Sequence, residues 1–301
     1  MVYGARVAPR FASVDNRRIA YETSGDPDAL PVISLHGTPG GRLFRYPDSD
    51  RVAETGALLI TYDRAGYGLS DRHRGRTVVD DVADVAAIAD DLGVDRFAVT
   101  GGSGGGPHCL AVAARLPDRV IRCRCVVGVA PYDAEDLVWL DGMDPENVKE
   151  FGWAAEGEER LTVELEREAA TMVERSEQNP GAILEGFELS EADREALAHP
   201  ITERILREAT PAMFVNGVFG WVDDDLAFIR PWGFDVSEIR VPTEVWYGES
   251  DVLVPAAHGR WLARTIPGAE VTVQQDEGHL GDPDQLLNRL AGFVEASRSL
   301  A

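Results

Sequence analysis

Short apolar and β-branched runs alternate with helical periodicity at both ends of the chain, and that alternation breaks in the middle. Residues 11–14 and 18–23 read as an opening hairpin, and 31–35 (PVISL) and 57–62 (ALLITY) as buried strands. Thr77 and Asp80 have the spacing of a capping box. Val78, Val82, Val85, Ile88 and Leu92 then recur at helical spacing until Gly93 supplies a stop. A strand over 96–100, a glycine-rich turn, a small-residue helix over 105–116 and a strand over 125–130 (CVVGVA) follow. From 132 to 229 the pattern is helical and polar. The earlier rhythm then resumes with a strand over 242–247 (PTEVWY), a helix over 256–265, a strand over 270–274 and a closing helix over 284–297.

This order predicts an α/β fold, a mostly parallel twisted sheet flanked by helices. Residues 1–131 and 231–301 are expected to form the core domain, and 132–230 an inserted helical cap. With 301 residues, 44% of them hydrophobic and 27% charged, the chain has the makeup of a globular protein able to bury a large core.

Charge narrows the list of partners. The formal net charge is -23, and residues 133–230 carry 25 acidic against 8 basic side chains. Such a surface repels a phosphate backbone and an anionic bilayer, so neither nucleic acid nor a membrane is expected as partner, and a small-molecule substrate is. Cys109, Cys123 and Cys125 are too few and too oddly numbered for a disulfide framework, and no Cys/His spacing matches a structural zinc site. The N-terminal segment lacks the apolar run of a signal peptide, and no stretch reaches the roughly 18 apolar residues of a membrane span. The expectation is a cytoplasmic protein without metal or cofactor.

The strongest chemical signal is Gly101-Gly102-Ser103-Gly104-Gly105, a G-x-S-x-G pattern directly after a predicted strand and directly before a predicted helix. A serine on so sharp a turn needs small neighbours, and the helix N-terminus behind it favours developing negative charge. A glycine-rich phosphate loop is the competing reading, but no lysine follows as the Walker pattern requires. A serine hydroxyl is a poor nucleophile at neutral pH, so it needs a base within reach and an anion to orient that base.

These residues resemble the α/β-hydrolase family, in its serine hydrolase branch, over nearly the whole chain. His36-Gly37-Thr38-Pro39-Gly40-Gly41 looks like the family's HGxPG loop, which implies that the backbone N–H groups of Thr38 and Gly104 form an oxyanion hole and that His36 is structural. Asp63 to Ser70 looks like the D-x-x-G-x-G-x-S segment, with a structural role. Gly248-Glu249-Ser250-Asp251 matches the acid loop and Gly278-His279 the histidine loop, which implies His279 as the base and Asp251 as its acid, so that Ser103, Asp251 and His279 follow the family order, with Asp133, Asp136 or Glu249 as substitutes for the acid.

The resemblance implies hydrolysis of a carbonyl-containing small molecule, an ester, lactone or amide, through an acyl-enzyme on Ser103, as in a carboxylesterase. HGTPGG and the cap are similar to the proline iminopeptidase branch, which usually carries tryptophan where this chain has Gly104; that glycine implies a roomier turn. Carbon–carbon hydrolysis and perhydrolase chemistry use the same triad, and a ligand-binding relative with little turnover is the non-enzyme alternative. Trp139, Trp153, Phe214, Phe219 and Trp221 are the expected pocket-lining residues. Asp223, Asp224 and Asp225 are either an anionic subsite for a free amino group or, more simply, solvated carboxylates on the outside of the cap.

Overall fold

A computed structural model describes residues 8–300; part of the N-terminal segment read above, residues 1–7, lies outside the described residues. The strands are β1 (Arg10–Val14), β2 (Arg17–Gly25), β3 (Leu30–Leu35), β4 (Ala57–Tyr62), β5 (Phe97–Gly102), β6 (Val120–Val126), β7 (Thr243–Gly248) and β8 (Glu270–Gln274). They form one sheet in the order β1-β2-β4-β3-β5-β6-β7-β8. The β1–β2 and β2–β4 pairings are antiparallel and all the others parallel. Asp15 and Asn16, at φ 47° and 68°, make the two-residue hairpin turn whose twist suits the flanking strands.

The helices are α1 (Ser49–Ala53), α2 (Asp81–Leu92), α3 (Gly105–Arg115), α4 (Pro145–Glu156), α5 (Glu158–Gln178), α6 (Glu191–Leu197), α7 (Pro200–Met213), α8 (Phe219–Phe228), α9 (Ala256–Thr265) and α10 (Leu286–Arg298). Side chains alternate across the strands, so each face of the sheet has its own core. Ile33, Ile60 and Val99 pack with residues of α2, α3 and α9, while Val32, Leu59 and Ala98 pack with Val52 of α1 and Phe293 of α10. The two cores share the sheet as their common wall. Helices α4 to α8 lie between β6 and β7, where the sequence pattern is helical and polar. No helix of the described residues is long and apolar enough to cross a membrane.

Two elements differ from the pattern reading. The strand expected at 125–130 is β6, Val120–Val126, shifted toward the N-terminus; it includes Arg122 and Arg124, which hydrophobicity counting discards. Both guanidinium groups are buried because Glu244 on the neighbouring β7 accepts from each, from Arg122 Nε at 2.6 Å and Arg124 Nε at 2.5 Å. Beyond Val126 the chain turns at Val127, φ 46°, out of strand geometry. The short α1 was not anticipated: it owes its start to Asp48, whose carboxylate accepts from the N–H groups of Asp50 and Arg51, and only Val52 is buried along it.

Candidate active site

Ser103 stands at the carboxyl end of β5, the central strand, with φ 52°, a left-handed conformation that a non-glycine residue adopts only where its surroundings impose it. Its N–H donates to the carbonyl of Val126 at 2.9 Å and its carbonyl accepts from Gly106 at 2.8 Å, so the turn is tied to β6 on one side and starts α3 on the other. The glycines around it are steric requirements. A Cβ at Gly101 would lie 2.1 Å from the carbonyl oxygen of Gly105, and one at Gly105 would lie 2.2 Å from that of Leu35. Backbone cannot yield at either place.

Opposite Ser103 runs the loop after β3. Gly37 is close enough that a Cβ there would stand 3.3 Å from Ser103 Cβ. At Gly104 a Cβ would meet Thr38 Oγ1 at 2.3 Å and the Thr38 nitrogen at 3.0 Å, so the backbones of Thr38 and Gly104 abut. The expectation of a roomier turn at position 104 is therefore corrected: the Thr38 side chain already occupies the space.

That side chain is held from below. Thr38 Oγ1 donates to Asp224 Oδ2 at 2.6 Å, and the same carboxylate takes hydrogen bonds from Arg64, Arg76 and the Tyr67 hydroxyl. Arg64 and Asp224 are both fully buried. Burial alone would raise the Asp224 carboxyl, but the charges of Arg64 and Arg76 outweigh it and hold the group well below the usual carboxylate range. Arg64 also donates to the carbonyl of His36 at 2.9 Å, and its N–H to His36 Nε2 at 3.1 Å. Since Nε2 accepts, the proton of His36 sits on Nδ1, which donates to the carbonyl of Gly37 at 2.7 Å. Burial, with Arg64 beside it, pushes this imidazole well below 6.5, so it stays neutral. The segment after β4 is shaped by Asp63, which accepts from the N–H groups of Arg42 at 2.8 Å and Leu69 at 2.9 Å.

Asp251 and His279 meet from loops that follow β7 and β8. His279 Nδ1 lies 2.8 Å from Asp251 Oδ2, while Asp251 Oδ1 accepts from the N–H groups of Leu253 and Val254, each at 2.9 Å. Burial would push the imidazole of His279 down, but the charge and hydrogen bond of Asp251, with Asp193 adding, hold it above its ordinary 6.5. Asp193, in α6 and fully buried, accepts from the N–H of Leu280 at 2.7 Å and packs against Gly278, where any Cβ would collide with it. The substitutes for the acid are elsewhere: Asp133 and Asp136 are exposed, and Glu249 pairs with Arg260 at the surface.

Ser103 and His279 line one cavity of about 630 Å³ together with Gly37 and Thr38. Of the expected lining residues, Trp153 and Trp221 are on its wall. Trp139, Phe214 and Phe219 are not. Trp139 is spent in the core, donating to the carbonyl of Ala130 at 2.6 Å, Phe214 stacks behind Trp221, and Phe219 is partly exposed with the Arg72 guanidinium 4.1 Å above its ring. The three acidic residues of α8 are corrected too, being 0–1% exposed rather than solvated. Asp223 pairs with Arg72, Asp224 with Arg64 and Arg76, and Asp225 lies against Glu150. Glu150 is on the cavity wall, takes the indole N–H of Trp221 at 2.8 Å, and is pushed up to about 7 by burial. Sequence reasoning missed Glu150 and Asp193, because neither lies in a motif and each acts only through residues remote in sequence.

A strained serine at a strand-to-helix turn, lining one cavity with a histidine that has its own buried carboxylate, stands at the carboxyl edge of a mostly parallel sheet and points to a known class of fold. Residues 31–281 match the alpha/beta hydrolase fold family, and this chain belongs to it. It is 29% identical over 303 residues to a proline iminopeptidase of Neisseria meningitidis serogroup B, covering 92% of each chain. Among solved structures it superposes on an alpha/beta hydrolase fold protein from Nakamurella multipartita with a TM-score of 0.67 at 24% identity, covering 96% of this chain and 99% of that one. An enol-lactonase from Burkholderia xenovorans LB400 superposes with a TM-score of 0.60 at 21% identity, over 97% and 99%.

Proposed function

We propose that the protein is a serine hydrolase that cleaves a small carbonyl-containing substrate, an ester, lactone or amide, through an acyl-enzyme on Ser103. The observation that carries this reading is the strained Ser103 sharing a cavity with a His279 whose Nδ1 is engaged by a buried carboxylate. In the first step Ser103 Oγ bonds to the carbonyl carbon as His279 Nε2 takes the hydroxyl proton. The tetrahedral oxyanion rests on the N–H groups of Thr38 and Gly104. The carbon–leaving-group bond then breaks as the imidazolium returns the proton to the leaving oxygen or nitrogen. Water attacks the acyl-enzyme by the same route, releasing acid and restoring Ser103. Asp251 fixes the imidazole tautomer and offsets its charge. Residues 132–230 serve as the cap that closes the cavity, and the three free, buried cysteines support a cytoplasmic setting.

A second reading, an aminopeptidase, is favoured by Glu150 and Asp225. A proline iminopeptidase is among the relatives, and two adjoining buried carboxyls can ionise together only beside a cation, such as a substrate ammonium. One plate separates the readings. Fluorophosphonate should label the wild type and not Ser103→Ala, and p-nitrophenyl esters are compared with aminoacyl arylamides. Turnover of arylamides that Glu150→Gln abolishes assigns the aminopeptidase; ester turnover indifferent to Glu150→Gln assigns the esterase. Absent labelling of folded wild type would overturn both.

A further inference from the structure

The β3–β4 connection, residues 36–56, contains only the five-residue α1 where a parallel crossover usually carries a helix long enough to cover the sheet. The consequence shows on the face toward α10. At its base, Val32 and Ala98 are fully buried in the core that contains Phe293. Two residues further along the same strands, and therefore on the same face, stand Ser34 and Thr100, partners in the β3–β5 register. Both are partly exposed although they sit in the middle of an eight-stranded sheet. Ser34 and Thr100, with Leu59, Val126, Leu290 and Phe293, line the same cavity as Ser103 and His279.

We infer that this limb of the cavity, descending from Ser103 between the sheet and α10, takes an unbranched, uncharged acyl chain of the substrate; the inference rests on the reading of Ser103 as nucleophile. Thr100 lies three residues below Ser103 along β5, which sets a depth of about 10 Å at the rise of a strand. The walls are mostly hydrocarbon, with two small hydroxyls. Arg124 and Arg289 also reach the limb, but each is engaged by a carboxylate, Glu244 and Glu277 respectively, so the lining suits an uncharged chain. The wall beneath Trp153, Trp221 and Glu150 is then left for the other half of the substrate, the leaving group.

The test is the chain-length profile. For p-nitrophenyl acetate, butyrate, hexanoate, octanoate and decanoate, kcat/KM of the wild type should rise by up to about fourfold per buried methylene until the limb is full, and then fall. Leu290→Trp, which fills the limb from α10, should keep acetate turnover within about twofold and lower octanoate turnover at least about tenfold. Ser34→Leu fills it from the opposite wall and serves if Leu290→Trp does not fold. An unchanged profile in a folded filling variant, or a profile that moves only with Trp153→Ala, overturns the inference in favour of a chain seated under the cap. Decanoate binding by calorimetry separates this from failure of the catalytic reading. Ser103→Ala should bind decanoate, and Ser103→Ala combined with Leu290→Trp should not; equal binding by the two overturns the limb whatever the wild type hydrolyses.

Discussion

The hydroxyl of Thr38 donates to the carboxylate of Asp224 at 2.6 Å, joining the loop that faces Ser103 to a helix 186 residues further along the chain. With Asp193 holding the N–H of Leu280 beside His279, helices α6 and α8 each send one buried carboxylate into a loop of the site. The region between β6 and β7 therefore braces two loops that border the cavity.

Asp224→Asn removes the charge that Arg64 and Arg76 share and leaves both guanidinium groups buried without compensation. We expect a loss of about 3–5 kcal/mol in urea unfolding. Thr38→Val breaks the hydrogen bond that the hydroxyl donates to Asp224 and the longer one, 3.2 Å, that it accepts from Arg64, while leaving the buried ion pairs in place; its loss should be about 1.5–3 kcal/mol, accompanied by a fall in kcat larger than any rise in KM. Wild-type stability in both variants would show that the anchor carries no energy.

Asp251→Asn keeps the shape of the acid loop while withdrawing the negative charge from His279. Turnover should drop about 10⁴-fold with the fold intact by circular dichroism. A near-normal rate would remove Asp251 from the triad.

In the proposed mechanism His279 must be neutral to accept the serine proton, and the pH dependence follows from that. Its folded-state pKa is raised above 6.5, so kcat/KM should climb through an inflection above that value and then level off. Asp193→Asn takes away one of the charges that raise it, and the inflection should move down. Stability runs the other way. A group with a raised folded pKa contributes fully below 6.5 and loses that contribution as pH rises through the folded value. A profile identical in Asp193→Asn would deny that carboxylate its influence on the imidazole.

His258 predicts acid sensitivity. It is buried, accepts the N–H of Ala130 at 3.1 Å and bonds through Nε2 to the carbonyl of Trp139 at 2.9 Å. Burial pushes it down to about 4. A depressed folded pKa means stability that is present above 6.5 and lost as pH falls toward 4, about 3 kcal/mol in all. His258→Gln, which keeps a donor and an acceptor without the titration, should flatten that part of the unfolding curve; an unchanged slope would assign the acid sensitivity to other groups.

Ser103, Asp251 and His279 were legible as candidates because each sits in a short motif whose local context, strand then turn, is itself legible. The strands around them were legible for the same reason, except β6, whose Arg122 and Arg124 look like surface until Glu244 on another strand is known to face them. The acidic run of α8 misled in the opposite direction. Its three carboxylates look solvated until Arg64, Arg72 and Arg76, more than 140 residues away, are seen to meet two of them.

The sequence by itself determined the alternation of strands and helices, the sharp turn at Ser103 and the order of serine, acid and histidine, because hydrophobic period and glycine placement act over a few residues. Only the tertiary structure decided which charges are buried in pairs, which aromatic side chains line the cavity, that Thr38 fills the space beside Gly104, and that the sheet is left open beneath α10. Those outcomes depend on which remote segments come together, and burial of a charge or exposure of a hydroxyl is a property of that meeting rather than of any stretch of chain.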